Sequence, residues 1–176
     1  MLGWVLGADL RDPEVLAAYD AARKRLHDQL SQTFPEFAWR IETSERRAFM
    51  PRGALDPVDL LEVGVAEKLH RHWDYVLVVV PNELISRHGP STLGVPSSAL
   101  EAAVISSSRL GSGARLAERL AALALHLLGH LWGLDHAASG PMRPVESPED
   151  LTPAPFPEAQ REQARRQLEE VARTRL

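Results

Sequence analysis

The sequence predicts an α/β fold of the α+β kind, in which a mixed, twisted sheet packs with helices in a single domain, residues 1–176. Two patterns support this. Residues 75–80 read Tyr-Val-Leu-Val-Val-Val, an uninterrupted apolar run typical of a central strand that is buried on both faces. Asp-Pro pairs at 12–13 and 56–57 predict helix starts, because Asp accepts bonds from free backbone N–H groups and Pro suits the first turn. A chain of 176 residues suits one such domain.

Hydrophobic periodicity and turn residues place the remaining elements along the chain. The last strand and the long helix before the C-terminal region are followed by a Pro- and Ser-rich segment that we expect to be irregular. The order of strands and helices fits one α/β layer structure. The predicted elements are a strand at 1–7, a helix at 12–32, a strand at 37–43, a loop at 44–56, a helix at 57–72, a strand at 75–80, a loop at 81–97, a strand at 102–107, a helix at 113–132 capped by Ser112, and a C-terminal helix at 157–174.

Composition excludes several functions. The formal net charge of −4 gives no general attraction to nucleic acid or to an anionic membrane surface. The absence of cysteine excludes disulfides, thiolate metal sites and cysteine nucleophiles. The first residues lack the basic and apolar regions of a signal peptide, and no apolar run approaches the roughly 20 residues of a membrane span. We therefore expect no nucleic-acid or membrane partner and a cytoplasmic location.

Three histidines near the end of the predicted long helix are spaced by four and then by six residues. Residues four apart share a helix face, so His126 and His130 can point their imidazoles at one spot. Gly133 can adopt left-handed backbone angles and end the helix, which lets the chain turn and bring His136 to the same place. Three neutral imidazoles with an open fourth position are typical of catalytic zinc sites. We predict one zinc ion here, although imidazole also suits copper, nickel and iron.

This stretch resembles the metzincin metalloprotease signature, H-E-x-x-H-x-x-G-x-x-H followed by a Met-turn. The three histidines and Gly133 fall on the ligands and the glycine of that motif, and Met142 is the candidate Met-turn residue. Within the metzincins, residues 75–142, including Val-Ile-Ser-Ser-Ser-Arg-Leu at 104–110, are most similar to archaemetzincins. The resemblance implies a zincin-like fold, peptide hydrolysis and Met142 as a hydrophobic floor beneath the metal. The cysteines that bind a second, structural zinc in archaemetzincins have no counterpart here.

One position departs from the motif, because its general-base glutamate falls on Leu127. A positioned general base contributes about 10²–10⁴-fold to rate, so its loss predicts a very slow or inactive peptidase. Leu127 also extends the apolar stripe of its helix. Another carboxylate could replace the base, although Asp135 could equally orient the third ligand through a hydrogen bond. The candidates are Asp135, Glu146, Glu149, Glu101 and Glu118.

Three functional hypotheses follow from these residues. The first is a metzincin-like zinc protein that has lost its general base and binds peptide or hydrolyses it weakly. The second is an active metallopeptidase that uses another carboxylate, and the third is a metal-free scaffold that binds a partner protein or peptide. In metzincins the strand before the metal helix pairs with extended substrate, so the resemblance implies this role for residues 102–107. The sequence predicts neither the substrate nor the oligomeric state.

Overall fold

The computed structural model describes residues 1–7, 11–46, 53–87, 89 and 92–175. Within these residues, five strands and four helices form the mixed α/β fold that the sequence predicts. A short 3-10 turn, Pro148–Asp150, precedes the last helix. In chain order the elements are β1 (Leu2–Leu6), α1 (Pro13–Thr33), β2 (Ile41–Glu45), α2 (Pro57–Arg71), β3 (Tyr75–Val80), β4 (Gly94–Ser97), β5 (Ala102–Ser106), α3 (Gly113–Leu131) and α4 (Glu158–Thr174).

The five strands lie in the order β2-β1-β3-β5-β4. The first four run parallel, and β4 pairs antiparallel with β5 at the edge of the sheet. Alternation along each strand divides its side chains between two cores. In β3, for example, Leu77 and Val79 face the larger core, while Val76 and Val78 face the smaller one.

The helices cover the two faces of the sheet unequally. Side chains of α1, α3 and α4 form the larger core on one face, whereas α2 alone covers the other. The Asp-Pro starts behave as the sequence predicts: carboxylate Oδ1 of Asp12 and of Asp56 each accepts a backbone N–H at 2.9 Å. Ser112 is the residue before the first turn of α3, but its side chain makes no capping hydrogen bond. None of the described helices is long and apolar enough to cross a membrane.

One strand prediction and one loop prediction are wrong. The strand predicted at 37–43 lies at Ile41–Glu45, because the apolar side chains before it do not follow the pleat of the sheet. The ring of Trp39 packs instead against those of Phe34 and Trp132, at centroid distances of 6.3 and 6.2 Å. The loop predicted at 81–97 contains β4. Part of the loop predicted at 44–56, residues 47–52, lies outside the described residues.

The position of β4 also corrects the expected role of the strand at 102–107. That strand, β5, is hydrogen-bonded to β3 on one side and to β4 on the other. Its backbone groups are therefore used within the sheet and cannot pair with an added peptide. The exposed edge beside α3 belongs to β4 instead.

Candidate metal centre

The predicted turn after α3 is present and places the third histidine. Gly133 has φ of +79°, in the left-handed region that glycine adopts without strain. Its N–H donates to the carbonyl of His130 at 3.0 Å, and the N–H of Leu134 donates to the carbonyl of Gly129 at 2.9 Å. These two bonds are the pattern of a Schellman motif, which ends a helix and reverses the chain. The reversal brings His136 back towards the last turn of α3.

The three imidazoles converge on one point. Nε2 of His130 lies 3.2 Å from Nε2 of His126 and 3.2 Å from Nε2 of His136. One ligand nitrogen from each of the three rings lies within 4.8 Å of the others. Zn–N bonds of about 2.0–2.1 Å in a tetrahedral site place neighbouring nitrogens about 3.3 Å apart. Two of the three separations match this value, and the triad could hold one zinc ion.

Backbone carbonyls fix which nitrogen of two rings carries the proton. Nδ1 of His126 lies 2.8 Å from the carbonyl oxygen of Pro141, and Nδ1 of His130 lies 3.1 Å from that of Leu134. Because a carbonyl only accepts, Nδ1 donates, and in a neutral ring Nε2 keeps its lone pair. The two Nε2 atoms that approach to 3.2 Å are then both acceptors. A shared cation stabilises such an arrangement, and a hydrogen bond between two neutral rings does not account for it.

Burial favours the neutral rings that a metal requires. His126 is buried, His130 is partly buried and His136 is exposed. Burial lowers the pKa of His126, an effect strengthened by the neighbouring histidines and opposed by the Pro141 carbonyl. Burial likewise lowers the pKa of His130, with the repulsion of His136 in the same direction.

Met142 packs against α3, the helix that carries His126 and His130. Its side chain is fully buried. A Cβ atom added to Gly129 would lie 2.2 Å from its sulfur, so only glycine at 129 permits this contact. The carbonyl of Met142 accepts the N–H of Ala137 at 3.0 Å, which ties the chain after His136 to this residue. Met142 therefore supports both α3 and the loop that carries the third histidine.

The triad opens into a cleft of about 320 Å³ bounded by α3, β4 and the loop at 145–148. Leu127, next to His126, lines this cleft and packs against β4. A Cβ added to Gly94 would lie 2.7 Å from Cδ1 of Leu127, so the glycine leaves room for the leucine. A larger cavity of about 700 Å³ lies beside α1 and the segment 153–156, but it contains none of the three histidines.

The free edge of β4 offers few backbone groups to the cleft. The carbonyl of Leu93 accepts the N–H of Ser106 at 2.8 Å and so faces β5. By the alternation of an antiparallel ladder, Gly94 and Pro96 direct their backbone groups outwards. Proline has no N–H, so the outward groups are the N–H of Gly94 and two carbonyls. The Gly94 carbonyl also accepts the Thr92 hydroxyl at 3.2 Å and keeps one lone pair for a second donor.

Among the carboxylates considered as replacement bases, only Glu146 lines the cleft. Its backbone N–H donates to the Asp150 carboxylate at 2.9 Å, which fixes the loop, while no described residue bonds its own carboxylate. Asp135 is exposed, does not line the cleft and adds an attraction that favours protonated His130. The remaining three lie elsewhere: Glu101 pairs with Lys68 at 2.7 Å, Glu149 is 3.7 Å from Arg119, and Glu118 borders the larger cavity.

Sequence reasoning missed several contributors to this site. Arg109 lines the cleft although it precedes α3 by several residues. Gly94 and Gly129 make room for Leu127 and Met142. A glycine inside a helical pattern signals a close contact, so Gly129 carried a readable signal. The Pro141 and Leu134 carbonyls carried none, because any residue supplies a carbonyl.

The fold is zincin-like, and it carries a histidine triad that could hold a metal ion. No family model and no curated protein matches the chain. Solved structures do. The archaemetzincin of Methanopyrus kandleri aligns over 96% of both chains with a TM-score of 0.70 and 23% identity.

Two further structures have the same architecture. A zinc-dependent peptidase from Methanocorpusculum labreanum covers 93% of this chain and 100% of its own, with a TM-score of 0.68 and 18% identity. The archaemetzincin of Archaeoglobus fulgidus, solved with malonate, covers 93% and 99%, with a TM-score of 0.64 and 17% identity. The chain therefore has an archaemetzincin-like fold that carries a histidine triad able to hold one zinc ion.

Proposed function

We propose that this chain is a metzincin-like zinc protein that binds an extended peptide beside its metal and hydrolyses it slowly or not at all. The observation that carries the proposal is the convergence of three imidazoles in an open cleft, where Nε2 of His130 lies 3.2 Å from Nε2 of both His126 and His136. His126, His130 and His136 hold the ion. A zinc ion bound there would supply Lewis-acid chemistry at its open coordination position.

The edge of β4 supports the peptide-binding part of this proposal. It runs along the cleft that contains the triad, and its outward backbone groups allow an extended chain to add to the sheet. The N–H of Gly94 donates to such a peptide, and the Gly94 and Pro96 carbonyls accept from it. With one donor in place of two, this edge gives a weaker and more position-dependent pairing than a strand without proline.

Leu127 carries the proposal that hydrolysis is impaired. It occupies the residue next to the first ligand, lines the cleft and is almost fully buried against Gly94. An alkyl side chain accepts no proton, so this position provides no general base. Its packing gives leucine a structural role of its own, which fits a site whose catalytic function has lapsed.

Metal analysis tests the zinc assignment. The protein, purified without an affinity tag and dialysed against zinc, is expected to retain one ion per chain. His126→Ala and His136→Ala are each expected to retain none, whereas His70→Ala, at an exposed position in α2, retains it. Parent protein without stoichiometric metal would reject the zinc function and leave the metal-free scaffold.

Restoring a carboxylate tests the lost base. Leu127→Glu is expected to raise zinc-dependent cleavage of a fluorogenic peptide pool by about 10²–10⁴-fold, the contribution of a positioned general base. Leu127→Gln is the matched control, because glutamine has the shape of glutamate but its amide does not act as a base. This variant is expected to stay at the parental rate. Parent protein that already cleaves at a kcat of about 1–10³ s⁻¹ would contradict the lost-base proposal.

One observation favours a second function, that of an active peptidase with Glu146 as its base. The Glu146 carboxylate lines the triad cleft and is not bonded by any described residue. If the parent protein cleaves peptides, Glu146→Gln is expected to abolish that activity while zinc binding is unchanged. Glu149→Gln, on the same loop but outside the cleft, is the control. Unchanged cleavage by Glu146→Gln would reject this alternative.

A further inference from the structure

Among the described residues that line the triad cleft, Arg109 is the one arginine or lysine. This residue follows β5 and precedes α3, so it reaches the cleft from a different part of the chain than the metal ligands do. Glu146 is the one carboxylate in the same described lining. The other lining side chains are Thr92, the three histidines and apolar residues such as Leu123 and Val145. A ligand in this cleft therefore meets one positive and one negative side chain in addition to the triad.

The turn that carries Arg109 is anchored firmly to the core. The N–H of Leu110 donates to the carbonyl of Ser107 at 3.1 Å, and the N–H of Ser107 donates to the carbonyl of Val80 at 2.9 Å. The hydroxyl of Ser106 donates to the Asn82 carbonyl at 2.7 Å, and Leu110 is fully buried. The hydroxyl-rich run before Arg109 thus has a structural role, which is to hold the base of the arginine in place.

The present partner of Arg109 is weakly held. Its Nη2 and Nε lie 3.2 and 3.3 Å from the same oxygen of Glu83, longer than the usual 2.7–2.9 Å of charge-assisted bonds. The two side chains are 47% and 49% exposed. Exposed pairs of this kind contribute little to stability, so exchange of Glu83 for another carboxylate costs little. The guanidinium fork can also bind two carboxylate oxygens at once, which it does not do here.

We propose that Arg109 is a specificity-determining residue that binds a carboxylate of a peptide seated in the triad cleft. This inference rests on the proposed peptide-binding function and names the ligand chemistry that the cleft prefers. The carboxylate comes either from an internal Asp or Glu or from the C-terminus of the peptide. Glu146, which also lines the cleft, repels a carboxylate placed beside it, so the two charges favour one orientation of an acidic peptide.

Peptide binding to the zinc-loaded protein tests this. Fluorescence polarisation compares labelled hexapeptides that carry Asp or Asn at each position in turn, each with a free or an amidated C-terminus. The parent is expected to bind the carboxylate form about tenfold more tightly than its neutral partner. A preference for Asp at one position assigns the internal side chain, and a preference for the free C-terminus assigns the terminal carboxylate. Either result supports the proposal.

Variants separate this inference from the function on which it rests. Arg109→Gln is expected to lose the preference while still binding neutral peptides, and Arg109→Glu is expected to prefer Lys over Asp. Arg115→Gln, an exposed arginine on the first turn of α3 outside the cleft, is the control and keeps the preference. A preference that survives in Arg109→Gln overturns the role of Arg109 and leaves peptide binding intact. A parent protein that binds none of the peptides overturns both.

Discussion

The polar side chains on the two faces of the sheet differ in whether the chain itself satisfies their hydrogen bonds. On the face covered by α2, the Glu67 carboxylate is 5% exposed and accepts bonds from Ser44 at 3.0 Å and Arg71 at 2.9 Å, and it also pairs with Arg46. Its donors and acceptor satisfy one another. On the α3 face, Nδ1 of His126 and of His130 donates to a backbone carbonyl, and the Nε2 atoms of these two rings face each other.

This difference separates a structural polar cluster from a binding site. Buried polar groups are normally hydrogen-bonded, and the Glu67 cluster meets that requirement within the chain. In the triad no described residue other than its own histidines donates to the three Nε2 atoms, and a cation shared by them would satisfy all three. Changes in the Glu67 cluster should therefore alter stability without altering metal binding, and changes in the triad should alter the response of stability to metal.

The largest expected effect is the stabilisation of the triad by zinc. A ligand that binds only the folded state stabilises it by about 4.1 kcal/mol at 1,000 times its dissociation constant. Urea unfolding of the parent with zinc at that excess should show this gain. His130→Ala should lose most of it, because only two of the three histidines are left to bind the ion. His70→Ala, at an exposed site in α2, keeps it. An equal gain in His130→Ala would place the metal elsewhere.

The second largest expected effect is the loss of stability when the Glu67 carboxylate is removed. Glu67→Ala is expected to lower the free energy of unfolding by about 2–3 kcal/mol, since bonds to a charged group contribute 1.5–3 kcal/mol each but both arginines are partly solvated. Glu62→Ala, an exposed position on the same helix, is expected to change it by less than about 0.5 kcal/mol. Zinc stoichiometry stays at the parental value in both. Loss of zinc in Glu67→Ala would couple the two faces.

The triad and the helices could be predicted from sequence because each depends on local spacing. The pair four residues apart, the helix-ending glycine and the third histidine are all set within one stretch of chain, and the Schellman turn follows from Gly133. Helix bounds likewise follow from Asp-Pro starts and apolar stripes, and α1 ends at Thr33, one residue beyond the predicted end. Local rules of this kind require no knowledge of what packs against the helix.

The parts that were missed depend on contacts between distant segments. Strand β4 has four residues, includes Gly94 and Pro96, and is only partly buried, so it carries no strand pattern of its own. Its pairing with β5 makes it a strand. The alternation of Phe37, Trp39 and Ile41 instead predicted a strand too early, because the aromatic cluster around Trp132 uses the first two side chains. The cleft position of Arg109 likewise arises only from tertiary packing.

Gly129 in α3 and Gly64 in α2 allow the two faces to be compared by the same substitution, with a smaller expected effect on stability. A Cβ on Gly129 would lie 2.2 Å from the Met142 sulfur, and one on Gly64 would lie 2.7 Å from Cγ2 of Val78. Overpacking costs about 1–3 kcal/mol, partly offset by about 1 kcal/mol of helix propensity, so both alanine variants should unfold more easily. Only Gly129→Ala is expected to weaken zinc binding, by about tenfold, as loss of support around ligands does. Equal zinc affinities in parent and Gly129→Ala would show that Met142 does not support the triad.

The smallest effect is the pH dependence of the Glu67 cluster. Burial alone would raise the pKa of Glu67, but bonds from Ser44, Arg71 and Arg46 outweigh it and lower the pKa below its ordinary 4.5. A depressed carboxyl pKa contributes stability that is complete above the unfolded value and is lost as pH falls through the folded value. The difference in unfolding free energy between parent and Glu67→Gln should therefore be constant at neutral pH and should shrink below about pH 4.5. The measurement is urea unfolding of both proteins without zinc between about pH 3 and pH 7. Because both carry the same histidines, the contribution of these residues cancels from the difference. Glu62→Gln serves as control, and a difference that stays constant over the whole range would mean that the Glu67 pKa is not depressed in the folded state.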